Sequence, residues 1–284
     1  MSRTPHLIVS NLKFSYPDGT QAIRGMDLAI HHGERIGLAG ENGCGKTTLC
    51  KQMNGLLSPS EGSVLIDGVD VSEMGYQEIA GKVGYLFQNP DHQIFCSTVF
   101  DEVAFGLRNI GLGTTEIDSR VGRYLDLLGI RDLSGSPPMT LSLGNRRLVA
   151  VASTLAMEQE LLILDEPIAW LDSRQTRLVA NAVGQASLAG RTVVVVSHNM
   201  KLIADLTERI VIMSEGRVVL DGNTKETVSD PSVMARAGLV PPPVVLLARR
   251  LGLGEAASAR TSTNDDLIRL IKASRSGGGA SGSR

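Results

Sequence analysis

The segment that most constrains this chain is residues 40–47, which read GENGCGKT and fit the pattern GxxxxGKT. An apolar run at 35–39 predicts a strand directly before the segment, and a helix is predicted directly after it. Glycines allow the backbone to wrap around phosphate groups with its N–H groups inward, and the start of a helix adds positive potential. Lys46 can reach the β- and γ-phosphates of a nucleotide, while the Thr47 hydroxyl can coordinate Mg²⁺. The segment therefore predicts a nucleotide-binding loop, called the phosphate loop below.

Nucleotide contacts are predicted for the whole phosphate loop and the threonine after it. These residues are Gly40, Glu41, Asn42, Gly43, Cys44, Gly45, Lys46, Thr47 and Thr48. The alternative is a glycine-rich turn that holds a lysine by chance, which the preceding strand argues against. Cys44 could be a redox-sensitive thiol, but a small residue that fits the loop is the favoured interpretation.

A second site signal is the run LLILDEP at 161–167, an apolar strand that ends in two acids. Asp165, at the carboxyl end of the strand, can hold a metal ion through water. Glu166 can polarise a water that attacks the γ-phosphate. The alternative, a solvated turn, is weak in a chain that already has a phosphate loop.

The apolar pattern predicts a β-rich first part, a helical middle and then buried strands separated by helical segments. Strands are expected at 7–9, 35–39, 64–66, 83–87, 161–164 and 192–196, with a hairpin at 209–221. Helical spacing dominates from about residue 99 to 157. After the Pro-rich break at 241–243, a short helix at 244–251 and a capping box at Thr263 and Asp266 predict a helical end.

The composition describes an ordinary globular protein. Hydrophobic residues make up 42% and charged residues 20%, and the net charge of −2 favours neither nucleic acid nor an anionic membrane as a direct partner. No apolar stretch approaches the roughly 18 residues of a membrane-spanning helix. No signal peptide is recognised, and three cysteines without a paired framework indicate a reducing compartment.

These motifs together resemble those of the ATPase subunits of ATP-binding-cassette (ABC) transporters, over roughly the first 225 residues. The resemblance assigns Tyr16 to adenine stacking and Gln88, in YLFQNP, to a loop that senses the metal and the membrane partner. LSLGN at 141–145 lies where the family has its LSGGQ signature, and its Ser142 and Gly144 are expected to contact the γ-phosphate of a partner's nucleotide. Asp172 matches the loop that links two sites, and His198 matches the histidine that acts with Glu166 in catalysis.

The resemblance implies an α/β fold, a P-loop NTPase of the ABC type. It would have a mixed sheet core, an N-terminal antiparallel β-subdomain and a helical signature subdomain, plus a small helical C-terminal appendage. The expected boundaries are 5–225 for the ATPase domain (helical subdomain roughly 90–158), 226–275 for the appendage and 276–284 for a disordered tail.

The stretch FQNPDHQIFCSTVFDEVAFGLRNIG resembles the energy-coupling-factor ATPases, which drive uptake of vitamins and of cobalt or nickel ions. The resemblance implies ATP and Mg²⁺ as ligands, with the metal held by Thr47, Asp165 and Gln88. It also implies a second ABC ATPase subunit, a membrane transport subunit docked near Gln88 and a separate substrate-binding membrane subunit, but no nucleic acid. The chain is then expected at the cytoplasmic face of the cell membrane.

The signature departs from the family pattern at two positions. Leu143 replaces the first glycine of LSGGQ and Asn145 replaces the glutamine. Either the site tolerates these changes, which is the favoured interpretation, or the signature forms a weaker site in an asymmetric pair. Trp170 also stands where a small residue is usual, and is interpreted as a core or interface aromatic.

Two rival functions remain at this point. A non-transport ABC ATPase would usually have tandem cassettes, coiled-coil insertions or basic patches. An ATP-dependent switch without turnover would usually lack the acid at Glu166. The remaining histidines, His6, His31, His32 and His92, match no motif and are interpreted as surface or turn residues.

Overall fold

The computed structural model describes residues 5–251 and 263–277. Three strands open the described chain, strands and helices are then interspersed, and four helices end it. The ten strands are β1 (Pro5–Ser15), β2 (Gln21–His31), β3 (Arg35–Gly40), β4 (Glu61–Ile66), β5 (Val69–Asp70), β6 (Val83–Leu86), β7 (Leu161–Asp165), β8 (Thr192–Val196), β9 (Arg209–Ser214) and β10 (Arg217–Asn223).

Eleven α-helices lie within the same described ranges. They are α1 (Lys46–Met53), α2 (Tyr76–Lys82), α3 (Val99–Asn109), α4 (Thr114–Leu127), α5 (Leu143–Ala156), α6 (Ser173–Leu188), α7 (Met200–Leu206), α8 (Thr224–Ser229), α9 (Pro231–Arg236), α10 (Pro243–Arg250) and α11 (Asn264–Gly277). None of the helices in the described part of the chain has the length and apolar character needed to cross a membrane.

The strands form two sheets. A small antiparallel sheet has the order β2-β1-β4-β5, and a mixed sheet has the order β10-β9-β3-β8-β7-β6. Within the mixed sheet only the β9–β10 hairpin is antiparallel. Every strand predicted from the sequence is present, although β2 and the two-residue strand β5 were not predicted.

The mixed sheet is buried on both faces, because alternate residues of its strands join two different apolar clusters. On β7, Leu162 and Leu164 pack against the helical layer, whereas Leu161 and Ile163 pack toward α1 and the small sheet. This double burial explains why the strand reads as a continuous apolar run rather than as an alternating one. The carboxyl ends of β3 and β7 therefore meet at one edge of a rigid sheet, where the phosphate loop and the two acids emerge.

The C-terminal helices divide between two clusters. Val228 of α8 and Met234 of α9 are buried in the cluster that covers the mixed sheet. Val244 of α10 and Leu267 of α11 belong to a small cluster of their own. The expected boundary at residue 226 stays a prediction, as does the expected tail at 276–284, of which residues 278–284 lie outside the described ranges.

One side-chain expectation is wrong. His6 lies inside strand β1 with 1% of its surface exposed, so it is not a surface or turn residue. Its Nδ1 atom is 2.7 Å from the Thr192 hydroxyl, which supplies the polar partner that a buried imidazole needs.

Candidate nucleotide-binding and catalytic site

The backbone of the phosphate loop depends on glycine at two positions. Gly40 ends β3 at φ 147°, and a Cβ atom there would collide with the carbonyl oxygen of Met213. Gly45 has φ 106°, and its Cβ would lie 2.5 Å from the carbonyl oxygen of Ala22. Other side chains cannot adopt this path without moving the neighbouring strands. The loop is thus held close to the sheet edge, with α1 starting directly after it.

Lys46 lies across this loop. Its Nζ donates hydrogen bonds to the carbonyl oxygens of Gly40 and Glu41, both at 2.8 Å, and lies 3.6 Å from the sulfur of Cys44. The ammonium is 9% exposed and has no carboxylate partner among the described residues. A buried cation held by neutral carbonyls is an attractive partner for an anion such as a phosphate group.

Thr47 and Asp165 bring a hydroxyl and a carboxylate together. Thr47 Oγ1 donates to Asp165 Oδ2 at 2.8 Å, and Asp165 is 2% exposed. Burial raises the pKa of the Asp165 carboxyl above its usual value, the hydrogen bond from Thr47 opposes this, and the Glu166 charge adds to it. A divalent cation would favour the ionised carboxylate, and this oxygen pair is the donor type that Mg²⁺ prefers. The residues present therefore fit a bound Mg²⁺.

Glu166 has an unusual backbone conformation, and its side chain is held by the residues that follow β8. Its φ is +49°, a value that is rare for residues other than glycine and is often found at functional sites. Its side chain accepts hydrogen bonds from Ser197 Oγ and the His198 backbone N–H, both at 2.9 Å. His198 Nδ1 lies 2.6 Å from Glu166 Oε1. The acid is therefore fixed in direct contact with the predicted catalytic histidine, whose own side chain is 74% exposed.

These groups surround one open cavity of about 520 Å³. Its lining residues are Tyr16, Thr20, Gln21, Ala22, Asn42, Gly43, Gly45, Lys46, Thr47, Thr48, Gln88, Asp165 and Glu166. The volume suits a ligand of nucleotide size. The hydroxyl of Tyr16 is 3.0 Å from Thr48 Oγ1, which fixes the predicted adenine-stacking ring beside the phosphate loop.

The signature lies apart from this cavity. Ser142 caps the start of α5 by accepting a hydrogen bond from the Asn145 N–H at 3.3 Å. At Gly144 a Cβ would lie 2.9 Å from Gln175 Oε1 and 3.1 Å from the carbonyl oxygen of Trp170, so a larger residue would displace the Gln175 side chain. Leu143 is 42% exposed. Neither Ser142 nor Gly144 is among the described residues that line the cavity.

Asp172, predicted to link two sites, caps α6 in this structure. It accepts a hydrogen bond from Gln175 N at 2.8 Å, and the Gln175 side chain accepts from the Asp172 N–H. The same Gln175 donates to Asn145 Oδ1 at 3.1 Å. Gln175 therefore joins the two loops. It bonds to Asn145 in the loop at 141–145 and to Asp172 in the loop at 168–172.

Sequence analysis missed Arg147, which has no exposed surface. Its guanidinium donates to the backbone carbonyls of Phe87, Gln88, Asp165, Glu166 and Pro167. Burial lowers the pKa of Arg147 to about 10, so the group stays protonated at neutral pH. A signal was available, because Arg147 lies four residues before the buried Val151 and shares its helix face.

Ser197, which donates to Glu166, was also missed. It is fully buried and directly precedes His198, so the chain order alone placed it beside the predicted histidine.

Comparison with known proteins agrees with these features. The sequence profile of the ABC transporter family matches residues 23–169. A relative from Methanosarcina acetivorans, described as an ABC transporter ATP-binding protein, is 39% identical over 95% of this chain. The chain spans only 44% of that relative's length.

Two further proteins are similar over most of their own length. An energy-coupling factor transporter ATP-binding protein, EcfA, from Methanothermobacter thermautotrophicus is 39% identical over 85% of this chain and 78% of its own. The solved structure of cbiO1 from Clostridium perfringens, described as part of the ABC transporter complex cbiONQ, is 35% identical and has a TM-score of 0.72. That similarity covers 87% of this chain and 97% of the solved one. The predicted P-loop NTPase fold of ABC type is therefore confirmed, and the chain belongs to the ABC transporter family and contains its ATPase domain.

Proposed function

We propose that this chain is the ATP-hydrolysing subunit of an ABC importer of the energy-coupling-factor type, and that it powers uptake of a vitamin or a transition-metal ion through membrane partners. One observation carries the catalytic part. Glu166 is fixed by Ser197 and His198 at the edge of the cavity where Thr47 and Asp165 meet. The phosphate loop can bind the phosphates, Thr47 and Asp165 can bind a divalent cation, and Glu166 can act as the base.

Each residue has a distinct part in the proposed reaction. Thr47 and Asp165 would hold Mg²⁺, which would neutralise part of the phosphate charge. Lys46 exchanges its contacts with loop carbonyls for contacts with phosphate oxygens. The ring of Tyr16 stacks on the adenine of the nucleotide. Glu166 accepts a proton from the attacking water, and His198 orients the Glu166 carboxylate and contacts the γ-phosphate.

We assign Ser142 and Gly144 to the nucleotide of a second ABC ATPase subunit rather than to the nucleotide of this chain. Support comes from their separation from the phosphate-loop cavity within one chain. Two subunits arranged head to tail would each complete the other's site. The nucleotide would then favour the closed pair, because it contacts both halves only in that state.

The segment that follows Gln88 in sequence carries a surface that is suited to a membrane transport subunit. The exposed rings of Phe95 and Phe105 pack edge to face, 4.8 Å apart, beside a groove of about 180 Å³ that Tyr85 also lines. Gln93 ties this region to α5, since its amide donates to Ala150 O at 3.2 Å. Exposed aromatic pairs of this kind are frequent at protein interfaces. The chain would then lie at the cytoplasmic face of the membrane, with a separate substrate-binding subunit that selects the cargo.

The energy-coupling-factor class is supported by the likeness to EcfA and to cbiO1. A non-transport ABC ATPase is the alternative, and co-purification with a polytopic membrane protein separates the two. The carboxylate at Glu166 argues against a switch that binds ATP without turnover.

Coupling to the membrane subunit is tested by Gln88→Ala in the reconstituted complex. We expect substrate uptake to fall by about tenfold or more, while ATP affinity changes by less than about twofold. The matched control is Gln185→Ala, which removes an exposed glutamine from α6 and is expected to leave both unchanged. Equal losses of uptake and of ATP binding in Gln88→Ala would contradict the proposed coupling.

A further inference from the structure

Two histidines and two acids meet at the sheet edge opposite the phosphate loop. His6 lies near the start of β1, His32 follows β2, Asp67 follows β4, and Glu160 directly precedes β7. The nitrogen and oxygen ligand atoms of His6, His32 and Glu160 lie within 4.8 Å of one another. Asp67 Oδ1 is 3.1 Å from His32 Nε2 and 3.9 Å from His6 Nε2. His6, His32 and Glu160 therefore converge on one small volume from both sheets, and Asp67 lies against the two histidines.

His6 is held in place for a ligand role. It is 1% exposed, and its Nδ1 atom is 2.7 Å from Thr192 Oγ1. The same hydroxyl oxygen accepts the Gly33 N–H at 3.0 Å and has a second lone pair that can accept the Nδ1 proton. With the proton on Nδ1, the lone pair of Nε2 faces Asp67. A fixed hydrogen bond on the other ring nitrogen is the usual support of metal-binding histidines.

The His32 ring is the one in this cluster that can rotate. Its ring stacks on that of His6 with 4.0 Å between centroids and 10° between planes. Parallel rings direct their lone pairs along parallel lines, so one ring must turn for both nitrogens to reach one ion. The His32 side chain is 47% exposed and has room to turn, whereas that of His6 is buried.

The charge balance favours a cation. Asp67 and Glu160 supply two carboxylates, and Lys82 is the nearby ammonium, with Nζ 3.0 Å from Asp67 Oδ2. Lys82 therefore engages Oδ2 of Asp67, while Oδ1 lies against the two histidine nitrogens, where a bound ion would replace its contact with His32. Imidazole nitrogens combined with carboxylate oxygens suit Zn²⁺, Ni²⁺ and Co²⁺, whereas Mg²⁺ and Ca²⁺ prefer oxygen alone.

We propose that His6, His32 and Glu160, with Asp67 as a fourth ligand, bind one divalent transition-metal cation. The ligands come from β1, β2 and the β4–β5 turn of the small sheet and from the start of β7 in the mixed sheet. The bound ion therefore holds the two sheets together at the edge away from the nucleotide. Because the site lies outside the catalytic cavity, this proposal is independent of what the transporter carries.

The test uses the full chain without an affinity tag, stripped of metal and kept free of nucleotide. Co²⁺ alone is the probe, added in the presence of excess Mg²⁺ and followed by visible absorption and calorimetry. We expect one Co²⁺ per chain, and weaker binding by about tenfold or more in His32→Ala and in Glu160→Gln. The control His92→Ala removes an exposed histidine elsewhere and is expected to keep the native affinity within about twofold.

A second measurement separates ligand loss from damage to the fold. Co²⁺ is expected to raise the Tm of the native chain and of His92→Ala but not that of His32→Ala, because an ion that binds only the folded state stabilises it. His32 and Glu160 are exposed enough for both variants to fold. The proposal is overturned if the native chain shows no saturable Co²⁺ binding. It is also overturned if His32→Ala and Glu160→Gln bind Co²⁺ as tightly as the native chain does.

Discussion

The guanidinium of Arg147 donates a hydrogen bond to the backbone carbonyl of Glu166, which places a buried cation directly behind the proposed base. The same group also donates to the carbonyls of Asp165 and Gln88. Arg147 lies one turn into α5, the helix that Ser142 caps. One side chain therefore joins the signature helix, the two acids and the loop proposed to meet the membrane subunit.

Replacing Arg147 tests whether this connection stabilises the fold. Arg147→Met leaves several buried carbonyl oxygens without a donor, so we expect the free energy of unfolding to fall by about 3–5 kcal/mol. Arg147→Lys keeps the charge but cannot match the forked geometry, so its loss should be intermediate. Urea unfolding of both variants measures the difference. The control Arg217→Met removes an exposed arginine. Equal losses of unfolding free energy in Arg147→Met and Arg217→Met would contradict a stabilising role for the Arg147 contacts.

Substitution of Tyr16 tests where the adenine base of the nucleotide binds. Tyr16→Ala removes the ring, and we expect the dissociation constant for ATP to rise by about tenfold, since stacking of a base on an aromatic ring is worth about 1–3 kcal/mol. Tyr16→Phe keeps the ring but loses the contact with Thr48, so its affinity should stay within about threefold of the native value. Calorimetric titration with ATP measures both. If the two variants lose affinity equally, the Thr48 contact rather than the ring accounts for the role of Tyr16.

The altered signature is tested at Leu143. This side chain is 42% exposed and projects from the first turn of α5, while Ser142 and Gly144 are retained. We therefore expect Leu143→Gly to change ATP turnover of the assembled complex by less than about threefold. The matched control is Leu188→Gly, which truncates an exposed leucine at the end of α6. A rise of about tenfold or more in Leu143→Gly alone would show that the natural leucine limits the composite site.

Most of the strands and the phosphate loop could be predicted because they depend on local patterns. The strand β2 escaped prediction because Gly25, at φ 78°, is an extra residue between Arg24 and Met26, which pair with Lys13 and Leu12 of β1, and it breaks the alternation of β2. Its apolar side chains, such as Ile23 and Met26, are nevertheless buried.

The rest depends on contacts that are distant in sequence. His6 was placed at the surface because its partner, Thr192, lies 186 residues away. The partners of Arg147 are backbone carbonyls, which leave no trace in residue types, so its place on an apolar helix face was the only signal available. The role of Ser142 and Gly144 could be inferred only from the family resemblance, because the site proposed for them would be completed by another subunit.

The catalytic claim is tested most directly by ATP turnover of the chain, purified with its co-expressed membrane partners, for the native protein and for Glu166→Gln. The amide keeps the shape of the side chain but cannot accept the proton of the attacking water. We predict that turnover falls by about 100-fold or more while ATP affinity stays within about threefold. Turnover that survives the substitution, or ATP binding that is lost together with it, would contradict the assignment of Glu166 as the base.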